Sequence, residues 1–553
     1  MFAATSILFV MSCFLSCTHD SGTSVNEETF VIYLKTEGGG SLSITQVFVE
    51  VSPGDTITLA AYADSSTEFD KWTHGQNITP LPNLTDSIIS FTARGDDTLT
   101  AWFKLKLYTV LISSSDNSYG TVSPEIQQVS HNGSFTVIAS VNRGCRFVEW
   151  VRDSGIMAVD DRYNDTTSVS SVLSEGKIWA MFDEAKPLTD SSVCVDVNAI
   201  GPAGLENGKT WYRAYKSLET AIANHKNPGT QFWLAEGTYT PSGMNPVQPN
   251  SNTFFYGGFS SHDSLLLQRN FINNRTILKG NNNPQIFQVN SSVDRVSFNG
   301  FILHDVSGAC ISVEGGENVT VENCILKDRG IFIISNSDNK IKNCVFTGIQ
   351  GADGCALKLI YCTGIVTVEN CIFYGNTTSS HLGIIDVDGF GELHIIHSTI
   401  VGNNSTDSCT AAIHKDSGCT VKLVNSILWN NNVAMNPKGT QINLLDTSDN
   451  DYIFHCIIQD YDGTGIFSNN LIVGSTFKHV IKQPPVFESV VNPGGSFDEK
   501  WFTSQAGLIY GNNLSPGVDE GASNPLLNLN YDIRGTGFNR KVNEYDMGAY
   551  ELQ

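Results

Sequence analysis

Basic charge is what this chain lacks first: 33 Lys and Arg stand against 56 Asp and Glu, a formal charge of -23 over 553 residues. That balance repels phosphate backbones and anionic lipid headgroups, so nucleic acid is excluded as a partner, while Ca2+ stays open. No Lys or Arg precedes Lys35, and Arg329 is the one arginine between Val296 and Asp460. Long hydrophobic runs are missing as well; the apolar stretch from Ile7 to Cys17 is too short to span a bilayer. Helical spacing is absent from Val296 to Asp460. Charged residues make up only 16% of a chain with 49 Gly and abundant Asn, Ser and Thr, the composition of an exported β-protein rather than a cytosolic enzyme.

What is present is a repeat. Phe298-Asn299-Gly300-Phe301-Ile302 returns as Glu322-Asn323-Cys324-Ile325-Leu326, Lys342-Asn343-Cys344-Val345-Phe346 and Glu369-Asn370-Cys371-Ile372-Phe373. It returns again as Ile396-His397-Ser398-Thr399-Ile400, Val424-Asn425-Ser426-Ile427-Leu428 and Phe454-His455-Cys456-Ile457-Ile458. The third residues, 300, 324, 344, 371, 398, 426 and 456, are separated by 24, 20, 27, 27, 28 and 30, a period that marks a stacked solenoid. Alternation such as Val319-Thr320-Val321 precedes each phrase, so each turn is built of short strands. Asn or His bends the strand, because both tolerate the left-handed backbone region. Past that corner Cys, Ser or Gly points inward and the next residue outward; Leu326, Phe346, Phe373, Ile400, Leu428 and Ile458 then point inward again. Polar Thr399 in the outward column agrees with this register. Of 13 cysteines, Cys324, Cys344, Cys371 and Cys456 fall in the inward column as small apolar residues. Disulfides Cys355 to Cys362 and Cys409 to Cys419 remain open on spacing alone.

These coils resemble right-handed parallel β-helices of the pectin-lyase type. The stretch from Cys194, with Gly208-Lys209-Thr210-Trp211-Tyr212-Arg213 and Trp233-Leu234-Ala235-Glu236-Gly237, resembles the opening of exported β-helices. A helix over about Arg213 to His225, with Ala214, Leu218, Ala221 and Ile222 on one face, would cap the first coil. Asp532-Ile533-Arg534-Gly535 to Arg540, with Asp546-Met547-Gly548-Ala549-Tyr550-Glu551, resembles the C-terminal signature of the choice-of-anchor β-helix family. Arg534, Arg540, Asp546 and Glu551 are read there as capping ion pairs. Upstream, Phe69-Asp70-Lys71-Trp72 matches Phe147-Val148-Glu149-Trp150 at a step of 78, and the two modules resemble divergent internalin-type B repeats, also called bacterial repeat domains. Trp72 and Trp150 are read as core residues. Phe14-Leu15-Ser16-Cys17 resembles a bacterial lipobox with Phe in place of the usual Leu, which implies lipid attachment at Cys17 and an outer-membrane or cell-surface lipoprotein. Cys13 is a weaker alternative, and simple cleavage followed by release another.

The resulting fold class is all-β: a right-handed parallel β-helix with a short N-terminal capping helix, preceded by two small β-rich repeat domains. The expected divisions are a signal peptide at 1–17, a tether at 18–29, repeats at 30–106 and 107–184, the cap and first coils at 193–295, coils at 296–483 and a C-terminal cap region at 484–553. Counting back from the phrases aligns Asp386, Asp388, His414 and Asp416 on adjacent coils about 4.8 Å apart, an acidic cluster expected on the outer face. Such carboxylates can hold Ca2+ or share acid and base roles in glycoside cleavage. The competing reading makes Val387-Asp388-Gly389, Lys415-Asp416-Ser417-Gly418, Asp446 to Asp449 and Glu314-Gly315-Gly316 into turns. A polyuronate lyase also needs cations beside the substrate carboxylate and a base, and the Gly-His-Gly signature of polygalacturonases is missing. Two functions remain open. One is a surface lipoprotein, expected monomeric, whose β-helix binds a polysaccharide or a cell-surface glycan. The other is a polysaccharide lyase or glycoside hydrolase acting on acidic glycans. Missing catalytic machinery, together with the tether and tandem stalk, favours the first.

Overall fold

The computed structural model describes residues 28–81, 83–351, 356–379, 382–389, 391–406, 410–416, 418–433, 440–444, 451–459, 466–468, 477–481 and 483–485, with 515–516, 518, 521 and 546–549. Cys13 and Cys17, Cys355, Cys409, Asp446, Arg534, Arg540 and Glu551 lie outside the described residues.

The chain forms two compact units, 1–113 with 122–139 and 149–180, and 114–121 with 140–148 and 181–553. In the first, strand Phe30–Glu37 pairs antiparallel with Phe48–Val51 and parallel with Asp97–Leu105, and a second four-stranded sheet faces it. Ile32, Leu59, Trp72, Phe91 and Leu99 fill the space between. Trp72 is buried with its indole N–H donating to Asp86 O at 3.0 Å, and Trp150 donates to Asn164 O at 3.0 Å. Both steps are fourteen residues, so the two Trp do the same core work in each repeat.

In the second unit the chain winds into coils carrying three parallel sheets. Sheet A contains Ile331–Ile334, Leu357–Ile360, Ile385–Asp388, Thr410–Lys415 and Thr440–Leu444. Sheet B contains Val296–Asn299, Thr320–Glu322, Asn339–Lys342, Ile365–Glu369, Glu392–Ile396 and Thr420–Val424. Sheet C, past the corner, contains Ile325–Lys327, Val345–Thr347, Ile372–Tyr374, Thr399–Val401 and Ile427–Trp429. Each strand pairs in register with its counterpart one coil on, as Phe346 with Phe373 and Phe373 with Ile400.

The corners between sheets B and C are the expected ones. Asn323, Asn343, Asn370, His397, Asn425 and His455 all have φ between 47° and 59°. Their side chains form a ladder: Asn343 Nδ2 donates to Asn323 Oδ1 at 3.2 Å and Asn370 Nδ2 to Asn343 Oδ1 at 2.7 Å. Arg269 heads it, donating to Asn299 Oδ1 at 2.8 Å. Beyond the corner Cys324, Cys344, Cys371 and Cys456 are buried free thiols in the same core as Leu326, Phe346 and Phe373. Cys362 is a buried free thiol, and Cys419 is buried in the same core.

Two expectations change. The outward column of sheet C is covered: Ile302, Ile325, Val345, Ile372, Ile427 and Ile457 form a second apolar layer with Met547 and Ala549. Thr399 is polar there because its Oγ1 accepts the N–H of Ala549 at 2.9 Å. The capping helix is also shorter than expected, Leu218–Asn224, because Ser217 caps it by accepting the Thr220 N–H. Leu218, Ala221 and Ile222 face the first-coil core, while Ala214 is buried ahead of the helix.

Candidate functional site

The outer face of sheet A carries the charged residues aligned from the sequence. Along its strands Ile385 and Val387 turn into the core, so Asp386 and Asp388 face outward. Register then stacks Lys358, Asp386 and His414 in one row, one per coil. His414 Nδ1 lies 2.8 Å from Asp386 Oδ1, and Lys358 Nζ lies 3.9 Å from Asp386 Oδ2. Asp386 is only 1% exposed. It faces outward but is covered, which corrects its placement on an open surface; a carboxylate so enclosed is sustained by its two neighbours.

Asp388 ends its strand ahead of Gly389, whose φ of 63° makes the corner, and shares a hydrogen bond with Asp416 on the next coil. Asp416 opens a turn, accepting the Cys419 N–H at 3.4 Å, while its own N–H donates to Val387 O at 2.9 Å. The turn reading and the cluster reading therefore hold together: both carboxylates sit at corners, and register makes the corners meet. Burial first, then the bond to Asp416, holds the Asp388 carboxyl above the ordinary range for aspartate. Among the described residues no three His, Cys, Asp or Glu side chains are grouped as a metal ion would require.

Two members of the site escaped the sequence reading. Lys358 stands 28 positions before Asp386, as Asp386 stands 28 before His414, and that equal spacing was the available signal. Tyr361 was hidden because its role depends on the corner. It is 62% exposed, adopts φ of 51°, donates its N–H to Asp388 O at 3.0 Å, and rests its ring where a Cβ on Gly389 would collide with it. Phe332, Ile334 and Ile360 lie half-buried on the same face.

Residues 251–400 match the right handed beta helix region family, and residues 31–107 and 110–185 each match the divergent InlB B-repeat domain. The chain is a β-helix behind two B-repeats. The β-helix match takes in Asp386 and Asp388 and stops before His414 and Asp416. No curated protein matches the chain. Among solved structures, pectate lyase Pel9A is similar at 15% identity and TM-score 0.31, over 66% of this chain and 96% of its own. A rhamnogalacturonan lyase is similar at 12% and 0.29, over 52% and 84%. The mannuronan C-5 epimerase AlgE6 A-module of Azotobacter vinelandii is similar at 12% and 0.24, over 53% and 100%. No residue of this β-helix takes a role from them.

The raised Asp388 sets a pH prediction with a definite sign. An acid whose folded pKa lies above its unfolded value of about 3.9 contributes stability below that value, and the contribution is lost as pH rises through the folded pKa. Asp388→Asn should therefore raise the thermal transition at neutral pH and leave it unchanged near pH 3. Equal shifts at both pH values would disprove the coupling of Asp388 to Asp416.

Proposed function

We propose that the protein is an exported polysaccharide-binding β-helix, displayed on its two B-repeats, with the outer face of sheet A as the binding surface. The observation that carries this is Tyr361, an exposed ring fixed beside paired carboxylates, with Phe332, Ile334 and Ile360 half-buried on the same face. Pyranose rings stack their C–H faces on such rings, while carboxylates accept from sugar hydroxyls. Asp386, Asp388 and Asp416 outnumber Lys358, which suits an uncharged glycan better than an acidic one. Lipid anchoring through Cys17 belongs to the same proposal. The purified chain is expected to be retained by an insoluble neutral polysaccharide, and Tyr361→Ala to weaken retention about tenfold. Retention untouched by that change would remove the site.

One observation favours a second reading. A carboxyl kept protonated to higher pH beside another carboxylate is the pairing that an acid catalyst of glycoside cleavage uses. Reducing ends released from a neutral glycan, and abolished by both Asp388→Asn and Asp416→Asn, would establish it in place of simple binding.

A further inference from the structure

Cys324, Cys344 and Cys371 stand at the same place on three consecutive coils, each directly after a left-handed Asn corner. All three are fully buried free thiols. The chain runs in register on both sides of these corners, Glu322 with Lys342 and Glu369 before them, Ile325 with Val345 and Ile372 after them. The cysteines are therefore stacked one coil apart, about 4.8 Å, within the range of about 4.4–6.8 Å over which two Cα atoms accept a disulfide. Their sulfurs are in mutual reach as well, because the Cys344 thiol shares hydrogen bonds with Cys324 on one side and Cys371 on the other. Two coils further on, serine does the backbone work of this column: Ser398 Oγ accepts the Cys371 N–H at 3.2 Å, and Ser426 Oγ accepts the Ser398 N–H at 3.1 Å. A hydroxyl thus meets what the corner requires, and three thiols in succession supply something a hydroxyl lacks, the capacity to join.

Cys344 has two neighbours to pair with, and the backbone decides between them. Cys371 Sγ accepts the Cys344 N–H at 3.4 Å, so drawing Cys371 into a bridge would strand that donor in the core. Bridging to Cys324 keeps the bond and closes the shorter loop, a step of 20 residues against 27. We infer that Cys324 and Cys344 form a disulfide that staples adjacent coils as the exported chain folds in an oxidising compartment. The oxidant is a low-molecular-weight disulfide. One cysteine thiolate attacks it, releasing half of the oxidant as a thiolate and leaving a mixed disulfide; the second cysteine thiolate then displaces the other half. One S–S bond forms between the coils, the oxidant's S–S bond breaks, and the two cysteine protons pass to the two released thiols. Cys371 stays a thiol. Exchange belongs to folding, before the coils close, because burial in the finished core pushes the Cys344 thiol well above its ordinary value and denies it the thiolate form. The same burial shields the finished bond from reductants. The inference takes only export from the proposed function; glycan retention is read separately, so either can fail without the other.

The test refolds the full chain from denaturant, once in a buffer of oxidised and reduced glutathione and once in excess dithiothreitol, and maps its peptides without reduction. The oxidising arm is expected to join the Cys324 peptide to the Cys344 peptide with the loss of about 2 Da, the bridge being placed by fragmentation. Dithiothreitol should leave that bond in the folded protein and break it once denaturant is added. The denaturant midpoint should be higher for the oxidised than for the reduced protein. Cys344→Ser should remove both the link and that difference, whereas Cys371→Ser should keep both. Serine already occupies this column at 398 and 426, so both variants are expected to fold, and cooperative melts check that they do. The peptide map of the parent protein decides the matter without them: no bond between Cys324 and Cys344 after oxidative refolding, or a bond from Cys344 to Cys371 in its place, overturns the inference.

Discussion

Lys415→Met is expected to cost about 3–5 kcal/mol of stability, more than a surface lysine ever should. Lys415 follows Leu359 and Val387 in the inward column of sheet A, so its side chain lies inside the solenoid, with none of it exposed. Its Nζ donates to Asp451 Oδ2 at 2.9 Å and to Cys419 O at 2.9 Å; Asp451 Oδ1 accepts the Val421 N–H at 2.8 Å. Methionine fills most of the volume but leaves the Asp451 charge buried opposite an apolar chain. The double variant Lys415→Met with Asp451→Asn should recover most of the loss, because asparagine keeps an acceptor for Val421 without the charge. Denaturant melts of the three proteins check this. A double variant no more stable than the single one would show that the pair itself, not the stranded charge, holds these coils.

Phe373→Asp should cost at least about 4 kcal/mol, adding a buried charge to a lost ring. Phe373 is fully buried and stacks on Phe346 with ring centroids 4.4 Å apart and planes 3° from parallel. Coils stabilise one another by contact with their neighbours, so damage should spread to the coils of Phe346 and Ile400. Limited proteolysis with peptide mapping should find new cleavage on both sides of residue 373, while Phe373→Leu should behave nearly as the parent. Protease resistance unchanged in the Asp variant would place Phe373 on the wrong face of its strand.

The inward column and the corners were legible because both rest on local rules: period-two alternation for the one, and left-handed tolerance of Asn and His for the other. The covered outward column was visible and under-read. Ile325, Val345, Ile372 and Ile427 alternate with buried neighbours that are themselves apolar, and near-continuous apolar runs signal parallel strands buried on both faces. The site was half legible. Asp386, Asp388, His414 and Asp416 could be aligned because each pair stands twelve and ten residues before the Ser of its own phrase, Ser398 or Ser426. Whether Asp386 was open or enclosed depended on what covers the strand, which no alternation reports. Lys415 was read as part of a turn, since a lysine pointing into a core makes sense only with Asp451, 36 residues away, in view.

The segment at Met547 to Ala549 bears on how long the fold lasts. Gly548 donates its N–H to Asn425 O at 2.7 Å, and Ala549 bonds Thr399 across 150 residues of sequence. Gly548 has φ of 98°, and a Cβ there would come within 2.7 Å of Ile427. Closing that loop costs about 1.5 kcal/mol more chain entropy than closing one 28-residue coil, so coils can nucleate and propagate before the segment docks. A contact made after the rate-limiting barrier leaves the folding rate alone and acts on escape from the native state. Docked after that barrier, the Gly548 segment would act as a brake on unfolding, and Gly548→Ala would then speed unfolding while leaving the folding rate unchanged.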